Sequence, residues 1–339
     1  MGPGSTPGRG EAVCTLGVMV SHVGYKGDNQ EHLTPKDHAF AGAVSGFLTR
    51  GFLQPLDVLK IRFQLQVEST RRCSGGLYHG ILQSAAKIMH SEGLTALWKG
   101  HVPAQALSIS FGITQFWSYA VLTKAANNRG IGEGYLTHGV CGALAGICGT
   151  LASFPCDIAR TRLIAQGIPK CYSGMLDAWR KMLHQEGIFS LWRGLVPTLA
   201  MTAPYTGLTF CFYNAFFKLA SKSIGKDSEA SWLSCSGVSG LASGVCAKVC
   251  VYPLDVFKKR MQIRGFEEAR RQFGKVVVYP STLKCISQVT QEEGILAWYK
   301  GLWPAMLKSG CASGSIFITY EATCRILAHM YRTKENSDK

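Results

Sequence analysis

The sequence predicts an all-α membrane protein built from three tandem repeats of about 100 residues, each with two membrane-spanning helices. Three observations carry that reading. A proline, an acid and two bases recur at fixed spacing: Pro55, Asp57, Lys60 and Arg62; then Pro155, Asp157, Arg160 and Arg162; then Pro253, Asp255, Lys258 and Arg260. The prolines stand 100 and 98 residues apart, and such a period marks a repeat architecture. Six apolar segments, two per repeat, are long enough to span a bilayer. Basic residues gather in three long connections.

The spans come first. Tyr135–Cys156, His101–Thr123 and Gly194–Phe217 hold no charged residue over 22, 23 and 24 positions. At about 1.5 Å per residue each crosses a hydrocarbon core about 30 Å thick. His38–Leu56, Ser231–Leu254 and Gly301–Tyr320 carry one charge apiece, Arg50, Lys248 and Lys308. An even number of spans puts both termini on one side. Segments 58–99, 157–193 and 255–300 hold 6, 6 and 9 Lys and Arg, against 2 and 3 in 124–134 and 218–230. The positive-inside tendency places the three long loops on the negative face of the membrane. A net charge of +15 concentrated there suits anionic headgroups rather than nucleic acid.

The 13 cysteines show no disulfide framework and lie mostly inside the spans, as small apolar filler. No metal site and no cofactor are expected. Residues 1–35 read as a disordered Gly/Pro-rich tail, followed by repeats over 36–126, 132–220 and 230–331.

Within each repeat the elements follow one order. Glycine pairs precede the proline, Gly42/Gly46, Gly142/Gly146 and Gly240/Gly244. Such G-x-x-x-G pairs are expected to let another helix approach closely. After the proline come Tyr78-His79-Gly80, Tyr172-Ser173-Gly174 and Tyr279-Pro280-Ser281. Apolar residues at helical spacing, such as Met175, Ala178, Trp179 and Met182, then predict a short helix along the membrane face. Each unit closes on an acid-glycine pair and an aromatic-base-glycine triplet: Glu92-Gly93 with Trp98-Lys99-Gly100, Glu186-Gly187 with Trp192-Arg193-Gly194, Glu293-Gly294 with Tyr299-Lys300-Gly301. Trp98 and Trp192 stand where interfacial anchors belong.

This threefold pattern resembles the mitochondrial carrier family, from about Val23 to Tyr331. The resemblance implies a pseudo-three-fold bundle of six tilted helices with short matrix-side helices, working by alternating access as a multi-pass protein of the mitochondrial inner membrane. It implies a monomer with both termini in the intermembrane space and cardiolipin held at the helix starts near Gly80, Gly100, Gly174 and Gly194. The stretches KIRFQLQ, YHGILQ, LWKGHVPAQALSI and YPLDVFKKRMQIRGFEEAR are most like family members that exchange thiamine pyrophosphate for phosphorylated solutes such as nucleotides. A carrier primarily for nucleotides, or for another large phosphate ester such as coenzyme A, is the alternative, and an ion leak pathway ranks below it.

Asp57 and Lys60 lie three apart and can pair within one helix. The resemblance implies pairs between helices instead: Asp57–Arg160, Asp157–Lys258 and Asp255–Lys60, with Gln64 and Gln262 as braces and Ile164 in the third bracing position. These form a matrix gate. At the opposite mouth the family pairs an aromatic-acid step with a base. Here Tyr119, Tyr213 and Tyr320 are present, but Glu321 alone keeps the acid.

Buried charge in a span costs about 2.5–3.5 kcal/mol on insertion scales, so such residues are functional candidates. Arg50 and Lys248 each precede a signature proline by five residues, with Thr150 as the third equivalent. Lys308 lies seven residues after Gly301, matching Leu107 and Met201, whose neighbours are Ser108 and Thr202. A cavity with three cations and no acid at midspan selects a small polyanionic substrate. One turn above, Phe111 and Tyr205 offer rings for a flat heteroaromatic group, and Gln115 can hydrogen-bond. His101 and His138 are isolated, and no nucleophile–base arrangement or nucleotide-binding loop supports an enzyme.

Overall fold

Each repeat places a long helix broken by a proline, a short helix lying across its end, and a long returning helix. A computed structural model describes residues 35–68, 77–129, 135–224, 229–266 and 286–337. The tail over 1–34 and the Tyr279-Pro280-Ser281 step lie outside the described residues. The signature helices are α1 (Pro35–Leu65), α4 (Tyr135–Ala165) and α7 (Glu229–Gln262). The returning helices are α3 (His101–Asn128), α6 (Leu195–Ile224) and α8 (Leu302–Ser337). Between them lie the short helices α2 (Ile81–Glu92) and α5 (Met175–Glu186). The third repeat has a π-helical turn, Val289–Glu293, in the corresponding place.

The signature helices run on past their prolines, α1 from Leu56 to Leu65. A proline lacks the N–H that would satisfy the carbonyl four residues back. In α1 that carbonyl belongs to Gly51, and Trp98 Nε1 donates to it at 3.0 Å. In α4 it belongs to Leu151, and Trp192 Nε1 donates at 3.0 Å. The two tryptophans thus cap the breaks in their own repeats, a role beyond interfacial anchoring. Tyr299 stands in the third repeat, where its ring stacks on Tyr252 at 6.4 Å between centroids.

The glycines of the two closing motifs have a backbone reason. Gly93, Gly187 and Gly294 adopt φ of +87°, +79° and +78°, and Gly100, Gly194 and Gly301 adopt +76°, +89° and +82°. Only glycine takes these values without strain. The first set ends each short helix, and a 3₁₀ turn follows (Leu94–Trp98, Ile188–Trp192, Ile295–Tyr299). The second set starts each returning helix, whose Pro103, Pro197 or Pro304 falls in the first turn, where an N–H is dispensable.

Gly100, Gly194 and Gly301 also mark where the repeats touch. A Cβ at Gly301 would lie 2.9 Å from Lys60 O and 3.0 Å from Tyr252 Oη; at Gly100 it would lie 3.1 Å from Arg160 O. The G-x-x-x-G expectation is overturned: among the described residues, a Cβ at Gly42, Gly46, Gly142, Gly146, Gly240 or Gly244 would meet nothing within 4 Å. The signature helices converge at their proline ends, far along the chain from those pairs, so close approach occurs there.

Each returning helix packs along the signature helix of the next repeat: α3 on α4, α6 on α7, and α8 back on α1. Tyr331 Oη donates to Asp37 Oδ1 at 3.0 Å, so the end of α8 meets the start of α1. Thr137–Ala165, within α4, is long and apolar enough on composition alone to cross a membrane. In α3, polar residues such as Gln105, Ser108 and Gln115 dilute the apolar content. The short helices bury one stripe, Ser84 and Ile88 in α2, Ala178 and Met182 in α5, each pair four residues apart. Ile88 is fully buried against the core around Val58 and Leu59. Burying such a side chain stabilises by about 1.5–3 kcal/mol.

Candidate functional site

At the proline ends of α1, α4 and α7 the three signature carboxylates meet bases from neighbouring helices. Asp57 pairs with Arg160. Asp157 Oδ2 lies 2.7 Å from Lys258 Nζ, and Asp255 Oδ2 lies 2.7 Å from Lys60 Nζ. The pairs run α1 to α4, α4 to α7 and α7 to α1, closing a ring. Gln262 Nε2 donates to Asp157 Oδ2 at 2.8 Å, and Gln64 Nε2 reaches Asp255 Oδ2 at 3.4 Å and Tyr252 Oη at 3.1 Å. Beside the third pair Ile164 offers no amide, and Arg160 Nε is buried with no acceptor among the described residues.

Every one of these carboxylates also holds a second cation. Lys308 Nζ lies 2.7 Å from Asp57 Oδ1, Lys248 Nζ 3.3 Å from Asp255 Oδ2, and Lys259 Nζ 2.9 Å from Asp157 Oδ1. Reading the spans alone placed Lys248 and Lys308 at midspan with no acid. The structure corrects this: long side chains bring both down to the ring, so the cations share acids with it. Lys259 escaped the sequence reading because it stands between the two bases of the third motif. The run Lys258-Lys259-Arg260, where the other repeats have Ile61 and Thr161 in the middle, was the available signal.

A second layer lies outside the ring. Arg62, Arg162 and Arg260 pair with Glu92, Glu186 and Glu293, which also pair with Lys99, Arg193 and Lys300. The same three arginines donate Nε to the carbonyls of Ile164, Gln262 and Gln64 on the next signature helix. The second base of each motif therefore ties the short helix to two signature helices. Burial of Glu92 opposes its ionisation. Arg62 and Lys99 outweigh that and hold its carboxyl below the usual carboxylate range.

The remaining candidate residues fall on the returning helices and one turn above the ring. Arg50 Nη1 donates to Ala104 O at 3.2 Å, the carbonyl that also accepts from Ser108 Oγ at 3.3 Å. Thr202 is exposed, and its hydroxyl donates to Thr198 O at 2.9 Å. Tyr205 is 38% exposed with Lys248 Nζ 5.9 Å from its ring centroid. Phe111 differs: its ring lies 3.2 Å from where a Cβ at Gly149 would sit, so it packs into the α3–α4 seam. Gln115 is partly exposed on α3.

At the other end, Tyr119 Oη shares a hydrogen bond with His138 Nδ1 at 3.0 Å, and Tyr320 Oη with His38 Nδ1 at 2.9 Å. Each joins a returning helix to the next signature helix. Tyr213 stacks on Phe217. Glu321 pairs with Arg325 on its own helix at 2.6 Å and, among the described residues, with no base on a neighbouring helix. Outside the bundle, a groove of about 540 Å³ runs between repeats, lined by Trp98, Lys99, Gly100, Lys170, Tyr172 and Gly174. Gly174 caps α5, and the Ser173 N–H there donates to Asp177 Oδ2 at 2.9 Å. Gly80 caps α2 equivalently, while a Cβ at Gly194 would lie 3.3 Å from Lys258 O on α7.

Comparison with known proteins gives one consistent result. The family model for mitochondrial carrier protein matches over residues 31–130, 132–223 and 229–331. The chain is 44% identical over 302 residues to the mitochondrial thiamine pyrophosphate carrier of Macaca fascicularis, covering 87% of this chain and 93% of that protein. Identity is 34% over 308 residues to mitochondrial thiamine diphosphate carrier 2 of Zea mays, with coverage of 84% and 91%. It is 33% over 305 residues to mitochondrial thiamine pyrophosphate carrier 1 of Neurospora crassa, with coverage of 84% and 90%.

Proposed function

The chain belongs to the mitochondrial carrier family, and from that premise we propose that it carries thiamine pyrophosphate across the mitochondrial inner membrane in exchange for phosphorylated solutes such as nucleotides. One observation in the molecule carries the choice of an anion. Six bases face three acids in the ring, an excess of three positive charges before Arg50 is added. A polyanion supplies the missing charge, and a neutral alcohol does not.

In this reading the six long helices cross the membrane with both termini in the intermembrane space, and the closed ring is the matrix gate. Arg50, Lys248 and Lys308 take the pyrophosphate, because a guanidinium and two ammonium groups can share its oxygens. Ser108, Thr202 and Gln115 add hydrogen bonds. Tyr205 offers its face to the thiazolium cation, in place of Lys248. The protein works as a monomer by alternating access, and the Tyr–His links hold the cytoplasmic ends of neighbouring helices. The groove between Gly100 and Gly174 holds a cardiolipin phosphate against Lys170 and the start of α5.

The test is uptake by liposomes containing the purified full-length chain, preloaded with thiamine pyrophosphate, ATP or coenzyme A. Labelled thiamine pyrophosphate should enter in exchange for itself and for ATP, and free thiamine should not compete. Exchange of ATP or coenzyme A with no uptake of thiamine pyrophosphate would replace this reading with a nucleotide or coenzyme carrier.

A further inference from the structure

The ring is symmetric in its acids and asymmetric in its second cations. Lys308 and Lys248 reach Asp57 and Asp255 with side chains that remain 34% and 26% exposed. Each ammonium carries three donors, and each spends one on its carboxylate. Lys259 is different. Its side chain is 7% exposed, and Nζ lies 2.9 Å from Asp157 Oδ1, 2.9 Å from Thr161 Oγ1 and 2.8 Å from Gln262 Oε1. All three donors are used, so none is left for a ligand.

We propose that Lys259 is a gate-positioning residue whose hold on the α4–α7 joint is not weakened by competition from substrate, while Lys308 and Lys248 are shared between gate and substrate. The inference rests on the reading of the protein as an anion carrier. A polyanion arriving above the ring competes with Asp57 and Asp255 for Lys308 and Lys248, so each of those acids loses one of its two cations. Asp157 keeps both of its own, because Lys259 is buried and saturated. Substrate thus loosens the α1–α4 and α7–α1 joints and leaves α4–α7 as the joint that opens last. Without substrate all three acids keep both of their cations, so the whole ring resists opening.

The prediction separates Lys259 from the binding residues. Full-length wild type, Lys259→Met and Lys259→Arg are reconstituted in liposomes that are either empty or preloaded with thiamine pyrophosphate, and the ratio of uptake into empty to preloaded liposomes is measured. Losing a buried charge-assisted contact on Asp157 should raise that ratio by about fivefold or more in Lys259→Met. The KM for exchange should not change, and Lys259→Arg should restore the wild-type ratio. If Lys259→Met does not fold, Thr161→Val removes one acceptor from the same ammonium and should raise the ratio less. A raised KM with an unchanged ratio would make Lys259 a substrate contact and overturn the proposal. A lowered Tm with both quantities unchanged would make its role structural only and overturn it equally. Should wild type exchange ATP and not thiamine pyrophosphate, the substrate reading fails, and the same ratio is read with ATP.

Discussion

Replacing Lys308 with methionine keeps the side chain's length and removes its charge. In this structure that change touches two anions at once, the carboxylate of Asp57 and the phosphate proposed above it. A charge-assisted contact is worth about 1.5–3 kcal/mol, or roughly tenfold or more in affinity. Lys308→Met should therefore depress uptake of thiamine pyrophosphate and ATP alike in liposomes. It should also lower the Tm of the substrate-free protein, because Asp57 then keeps Arg160 alone. Wild-type uptake of both anions by the folded variant would remove Lys308 from the site. The two aromatic candidates now separate. Tyr205→Leu should reduce the ratio of thiamine pyrophosphate to ATP transport several-fold, as a cation–π contact of about 0.5–2 kcal/mol is lost. Phe111→Ala should lower stability on the order of 2 kcal/mol and leave that ratio alone, because the ring packs on Gly149. Spacing put Phe111 and Tyr205 at one level. It did not tell which way either ring points, because a residue beside a helix seam and one facing the axis share the same offset.

The element most exposed to a single change is the break in each signature helix. Trp98→Phe keeps an aromatic ring and removes the donor to Gly51 O, at a cost of about 0.5–1.5 kcal/mol. Trp192→Phe should do the same through Leu151 O. Tyr299→Phe should be nearly neutral in a thermal melt of the detergent-purified protein. Equal melting temperatures for Trp98→Phe and wild type would show that the indole N–H caps nothing of consequence. The layer outside the ring has a pH signature. The Glu92 carboxyl is held below its ordinary range in the folded protein. Its contribution is thus fully present above its unfolded value of about 4.3 and is lost as pH falls through the lower folded value. Melting temperature should fall more steeply from about pH 5 downward in wild type than in Glu92→Gln. At this scale much was readable in advance. The acid-glycine and triplet motifs marked where the short helices end and the returning helices begin, since positive-φ glycine is a local constraint. The prolines, by contrast, lie inside signature helices that end unmarked at Leu65, Ala165 and Gln262. The G-x-x-x-G pairs misled, because a small residue permits close approach without showing where along the helices it happens.

For the molecule as a whole, the ring makes one closed circuit of three joints, and each joint is a triplet of one acid and two bases. That count changes what a charge exchange should do. With simple pairs, exchanging Asp157 and Lys258 between α4 and α7 would restore a salt bridge with its direction reversed. Here Lys259 remains behind, 2.9 Å from the position of the Asp157 carboxylate, and would face a lysine in its place. Unpaired like charges in a buried site are costly, on the order of several kcal/mol. The double variant Asp157→Lys/Lys258→Asp should therefore stay as inactive in liposome exchange as either single variant. Adding Lys259→Met removes the stranded cation, and the triple variant should recover measurable exchange. Recovery in the double variant would show that the joint is a pair and that Lys259 sits outside it. Failure of a folded triple variant would show that the joint depends on the direction of the charges as well as their balance. The equivalent exchange at Asp57 and Arg160 leaves Lys308 behind instead, a cation that can turn toward the substrate. That joint should tolerate reversal better when thiamine pyrophosphate is present than when it is absent, a difference readable as a larger substrate-induced rise in Tm.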